Sequence, residues 1–127
     1  MQYPSPPNQQ AYYEAVWHVA HQVPYGKVVT YGQIAQMIPI PEGIDPQEYK
    51  AFGSRWVGSA MAACPPDVPW QRVINAQGKI SQRPGADKQR HLLEAEGIPF
   101  AKDKIDLKVY QWHGPGHEDE PRQASLF

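Results

Sequence analysis

Prolines set the first limit on what this chain can fold into. Pro39, Pro41 and Pro46 crowd the segment PIPEGIDP, and Pro65, Pro66 and Pro69 crowd PPDVP. Proline has no backbone N–H to give, clashes with the preceding turn, and biases the residue before it away from helix, so no helix crosses either segment. Helices have to fit between these breaks. The first is predicted from Gln9 to His21, where Tyr12, Val16, Val19 and Ala20 recur near helical spacing, Ala11, Ala15 and Trp17 widen the face, and Pro24-Tyr25-Gly26 turns the chain away. Thr30 caps a second, YGQIAQMI, in which Ile34 and Ile38 stack one turn apart. A third runs from Gln47 or Glu48 to Ala63 with Phe52, Trp56, Val57, Ala60 and Met61 inward. A fourth spans Ala86 to Glu96, with Leu92 and Leu93 inward and Gly97 ending it.

The extended pieces are short. Lys27-Val28-Val29 is one. Val73-Ile74 begins another, which Asn75-Ala76-Gln77-Gly78 turns so that Lys79-Ile80-Ser81 returns as a hairpin wing. Ile105, Leu107, Val109 and Tyr110 alternate as a final strand. The expected fold is therefore mainly α with short β elements. With 127 residues it forms one domain, over 9–113, between an extended proline-rich arm at 1–8 and a flexible acidic tail at 114–127.

The third helix is unusual. Gly53, Ser54, Gly58, Ser59, Ala62 and Ala63 fill much of its outer surface, although glycine costs a helix about 1 kcal/mol against alanine. Small residues there are explained by close approach to another surface, and Arg55 stands above that low relief, with Lys50 near the helix start. Two helices joined by a connection, the second carrying small residues and an arginine, have the general form of a helix-turn-helix.

Charge points the same way once it is read locally. The formal net charge is -1, but from Tyr49 to Arg90 the chain carries Lys50, Arg55, Arg72, Lys79, Arg83, Lys88 and Arg90 against Asp67 and Asp87. An anionic partner responds to the patch it meets, and Lys50 and Lys79 are candidate phosphate contacts. The bland alternative is a solvated basic face. Cys64 is the single cysteine, so no intramolecular disulfide forms, and as a lone thiol among alanines it reads as a small buried hydrophobe rather than a nucleophile. His18 and His21 share a helix face, but no zinc-type spacing accompanies them, and no metal or cofactor is expected. The N-terminus has neither the basic start nor the apolar run of a signal peptide, and no window reaches membrane-spanning length; a soluble, intracellular chain is expected.

The strings VPYGKVVTYGQIA, SRWVGSAM, PWQRVINAQGKIS and KQRHLLEAEG, in that order, resemble the DNA-binding domain of the O6-alkylguanine-DNA alkyltransferases over roughly residues 12–98. In that family the reactive centre reads proline-cysteine-histidine-arginine. Here it reads Pro69-Trp70-Gln71-Arg72, which resembles the alkyltransferase-like proteins, in which damaged-base binding persists without alkyl transfer. The resemblance implies a winged helix-turn-helix of alkyltransferase type that enters the minor groove and rotates an alkylated guanine into a pocket. By position it implies that Tyr31 presses on the backbone, Arg55 enters the duplex where the base had stacked, Trp70 lies at the pocket and Arg72 supports its loop. Ser54 and Gly58 belong to the helix surface that meets DNA. Glu96 corresponds to the acidic partner of the family's histidine, whose place Gln71 takes. The implied partners are double-stranded DNA containing O6-alkylguanine and nucleotide excision repair proteins, and the protein is expected to be a monomeric, non-enzymatic sensor, cytoplasmic and associated with the nucleoid when bound.

The substitution itself has a plain chemical reading. A thiolate attacks the carbon on guanine O6; indole offers only an N–H donor and an apolar face. Two other readings compete. One is an atypical alkyltransferase in which Cys64 reaches the pocket, and the other a winged-helix regulator that reads DNA without recognising lesions.

Overall fold

Thr30 is where the architecture turns. Its Oγ1 accepts from the Gln33 N–H at 3.1 Å, and Gln33 Oε1 accepts from the Thr30 N–H at 2.9 Å, a reciprocal cap that starts one helix and ends one strand. Around it the computed structural model describes residues 6–115. The elements run α1 (Gln9–Gln22), β1 (Val29–Thr30), α2 (Tyr31–Met37), α3 (Pro46–Ala62), a single 3-10 turn (Trp70–Arg72), β2 (Val73–Ile74), α4 (Ala86–Ala95) and the one-turn α5 (Leu107–Tyr110). Residues 1–5 of the expected arm and 116–127 of the expected tail lie outside the described residues.

The predicted helices form where the sequence places them, and their caps explain their bounds. Asn8 accepts from the Ala11 N–H to start α1, and Asp45 accepts from the Gln47 and Glu48 N–H groups with Pro46 in the first turn of α3. The inward face of α3 is shifted from the expected one. Tyr49, Gly53, Trp56, Val57, Ala60 and Met61 are buried, whereas Phe52 is only half-buried. Gly53 lets α3 approach α2: a Cβ there would stand 3.2 Å from Ala35 Cβ and 3.3 Å from the Tyr49 ring.

β1 and β2 pair in parallel, with Val29 opposite Val73 and Thr30 opposite Ile74. This ribbon divides two apolar clusters, because successive strand residues face opposite ways. Val29 and Val73 join the larger cluster with α1, α2 and α3, while Val28 and Ile74 join the smaller with Leu93, Ile98 and Ile105. Inside the larger cluster the Tyr49 hydroxyl donates to the Ala35 carbonyl at 2.6 Å, so the 2.9 Å contact between the two tyrosine hydroxyls has Tyr12 as donor. Burial pushes both phenols above their ordinary range.

Two expectations fail. Lys79-Ile80-Ser81 does not return along β2, whose described ladder partner is β1. The Asn75 turn does form, with the Gly78 N–H on the Asn75 carbonyl and the Asn75 N–H on the Lys79 carbonyl at 3.3 Å, but no ladder continues from it, and the Gly78 carbonyl accepts from the Ile105 N–H at 2.8 Å. That approach leaves no room for a side chain at residue 78, where a Cβ would lie 2.6 Å from the Ile105 carbonyl oxygen. The expected strand over Ile105–Tyr110 is instead a helical turn, because Asp106 caps it by accepting from the Lys108 N–H. Extended pairing resumes only at the bridge between Val28 and Gln111.

Candidate nucleic-acid interface

Proline, tryptophan, glutamine and arginine form one rigid corner. The turn closes through Arg72 N–H on the Pro69 carbonyl at 3.1 Å, and its side-chain bonds gather on Glu96 at the end of α4. Glu96 accepts from Arg72 Nε at 3.0 and 3.1 Å, from Gln71 Nε2 at 2.9 Å and from the Gly26 N–H at 2.8 Å. Its side chain is 6% exposed and that of Arg72 is 16% exposed, so the pair is shielded from water. Arg72 also donates to the Val23 carbonyl at 2.9 Å, and its guanidinium lies 5.6 Å from the Tyr25 ring centroid. Arg72 is a strut inside the protein.

Trp70, fixed by this corner, lines a cavity of about 390 Å³ with Met61, Cys64, Pro65, Arg83 and Lys88. Cys64 does therefore share a cavity with Trp70. Burial pushes its thiol up, with the Asp67 charge adding to the effect against an opposing backbone hydrogen bond, and the thiolate is disfavoured. Arg83 and Lys88 were visible in the sequence only as two members of a basic run. Nothing in their spacing ties them to residue 70, because the loop before α4 carries them back across the chain.

The other expected site residues lie on α2 and α3. Tyr31 is the first residue of α2, half-buried and packed against the larger core. Arg55 is exposed on α3. Lys50 and Ser54, both exposed and one helical turn apart, line a separate groove of about 370 Å³ with Gly32, Gln36 and Tyr49. Gly58 differs from Gly53: a Cβ at 58 would meet nothing within 4 Å, and the same holds at Gly32. No internal contact requires glycine at either place. Lys79 is set apart from Trp70, in a third cavity of about 410 Å³ with Phe100 and Arg90, on the other side of the loop that carries Arg83.

Among the described residues there is no group of side chains arranged to hold a metal ion, and no helix is long and apolar enough to cross a membrane. A helix-turn-helix built on α2 and α3, with an exposed arginine on the second helix and the Trp70 cavity at that helix's end, has the form of a DNA-binding domain.

Comparison with known proteins agrees. The family described as 6-O-methylguanine DNA methyltransferase, DNA binding domain, matches residues 11–98. A DNA base-flipping protein of Vibrio parahaemolyticus is 44% identical over 99 residues, covering 76% of this chain and 91% of that protein. Alkyltransferase-like protein 1 of Schizosaccharomyces pombe is 36% identical over 111 residues, covering 80% of this chain and 94% of its own. The crystal structure of S. pombe Atl1 in complex with damaged DNA containing O6-carboxymethylguanine superposes with a TM-score of 0.66 at 35% identity, over 81% of this chain and 95% of that one. The chain belongs to this family, as an alkyltransferase-like protein with Trp70 where the alkyltransferases carry their reactive cysteine.

Proposed function

We propose that the protein is a DNA-lesion sensor that binds O6-alkylguanine in duplex DNA and does not remove the alkyl group. Residues 9–113 act as the DNA-binding unit, docking α3 in the minor groove. Tyr31 presses on the backbone, Arg55 fills the space left in the stack, and the everted base enters the cavity beside Trp70. Lys50 and Ser54 meet the backbone, Gly58 lets it come close, and Arg72 holds the corner from inside.

One observation carries the reading. Residue 70, the position of attack in the alkyltransferase motif this segment resembles, is a tryptophan on a turn whose next two residues, Gln71 and Arg72, are tied to Glu96, and an indole cannot accept an alkyl group from guanine O6. Eversion costs a few kcal/mol and least where pairing is already weakened, which alkylation at O6 does by removing the N1 proton. Burying the alkyl group contributes about 0.8 kcal/mol per CH₂, so discrimination needs no chemistry. The relatives support the reading by what they are called: one is a base-flipping protein, another was crystallised on DNA carrying an O6-alkylated guanine. Handing the marked lesion to nucleotide excision repair proteins is the consequence we propose, by a monomer acting in the cytoplasm at the nucleoid.

The test measures affinity for matched duplexes with guanine or O6-methylguanine at fixed salt, with the protein's mass recorded afterwards. Tighter binding of the lesion duplex with unchanged mass is expected. Equal affinities remove the sensor, and a gain of one methyl group in mass would make the protein an alkyltransferase acting through Cys64.

A further inference from the structure

The buried amide of Gln89 joins the two walls of the Trp70 cavity. Gln89 lies on α4 and is 1% exposed. Its Nε2 donates to the Gln71 carbonyl at 3.1 Å, within the turn that carries Trp70, and to the Val73 carbonyl at 3.0 Å, at the start of β2. Its Oε1 accepts from Arg83 Nη2 at 3.2 Å. Arg83 belongs to the loop before α4 and lines the same cavity as Trp70. Arg83 has one other contact here, to the Ser81 carbonyl at 3.3 Å.

The side-chain chemistry is demanding. Two carbonyls on one side require two donors, and a guanidinium on the other requires an acceptor. A primary amide of this length supplies both, and the contacts fix which end is oxygen, since the flipped amide would set oxygen against two carbonyls and NH₂ against a cation. Glutamate would turn a carboxylate toward both carbonyls, and methionine would offer nothing to either side. Both amide hydrogens are used and the oxygen holds the guanidinium, so moving either side leaves a buried polar group without that partner.

We infer that Gln89 is a positioning residue for lesion selectivity: it sets the separation of Trp70 and Arg83 and hence which O6 substituents the cavity admits. This rests on the sensor reading above. It differs from a purely structural role in its readout, because a loss of folded protein lowers binding to damaged and undamaged duplex alike, whereas a displaced cavity wall changes their ratio.

The experiment compares the ratio of affinities for O6-methylguanine and unmodified duplex in the wild-type protein, Gln89→Met, Gln89→Glu, Arg83→Ala and the Gln89→Met/Arg83→Ala double variant. Each Gln89 variant is expected to lower the ratio about tenfold, the effect of one buried polar contact. The double variant is expected to fall no further than the larger of the two single effects, since both break one link. Arg83 is exposed, so Arg83→Ala reports from the other end of the link even where a Gln89 variant does not fold. A wild-type ratio retained in Arg83→Ala or in either folded Gln89 variant overturns the inference, as do single effects that multiply independently. A wild-type protein that binds both duplexes equally defeats the sensor reading itself, which is a separate result.

Discussion

At residue 71 a glutamine stands beside Glu96, where the motif this segment resembles has a histidine. In an enzyme of this type a histidine between carboxylate and thiol moves a proton; Gln71 has no proton to move and simply donates its amide hydrogen to Glu96 at 2.9 Å. Glu96 becomes an anchor for the whole corner, accepting from Gly26, Gln71 and Arg72. Its removal leaves the Arg72 guanidinium, 16% exposed, without its counter-ion. Glu96→Ala is therefore expected to destabilise the fold by about 3–5 kcal/mol, the cost of breaking a buried pair from one side. Urea unfolding of the variant measures it, and a loss under about 1 kcal/mol would mean that Arg72 is held by Val23 and Tyr25 instead.

Elements were legible in the sequence where they are long enough to show a period, or carry a cap. α1, α2, α3 and α4 were, and Thr30 marked the start of α2. The wing and the last strand were misread for a common reason. A strand of two residues carries no alternation of its own, so its partner is chosen by tertiary contact: β1 for β2, and Ile105 for the chain after Gly78. The small-residue surface of α3 was legible as a pattern but not in its parts. Gly53 serves packing against Ala35 and Tyr49, whereas Gly58 faces open space. Gly58→Ala should then stabilise the helix by about 1 kcal/mol, because it removes glycine's entropy cost without a clash. Gly58→Leu should leave thermal stability near wild type and weaken binding to any duplex. A Gly58→Leu variant that binds DNA as tightly as the wild type would show that the duplex does not approach this face closely.

Across the whole molecule, counting charges along the chain overstated the basic surface, because a sequence does not show which cations are already answered. Arg72 is consumed by Glu96, and Arg90 by Glu94 at 3.2 Å and Asp103 at 2.7 Å, with its guanidinium 4.7 Å from the Phe100 ring centroid. Lys79 lies beside Arg90, away from Trp70. What stays near the proposed DNA path includes Lys50 in the groove between α2 and α3, and Arg83 and Lys88 at the Trp70 cavity. This division is readable in the salt dependence of binding. Each phosphate neutralised releases counterions, and the slope of log affinity against log salt steepens by about 0.9 per contact. Lys50→Ala should make that slope shallower by about 0.9, on damaged and undamaged duplex equally, because a phosphate contact carries no sequence or lesion information. Arg90→Ala should leave the slope unchanged, since its charge is spent within the protein. The reverse result, with Arg90 governing the slope and Lys50 silent, would place the duplex on the α4 side of the molecule and away from the helix-turn-helix.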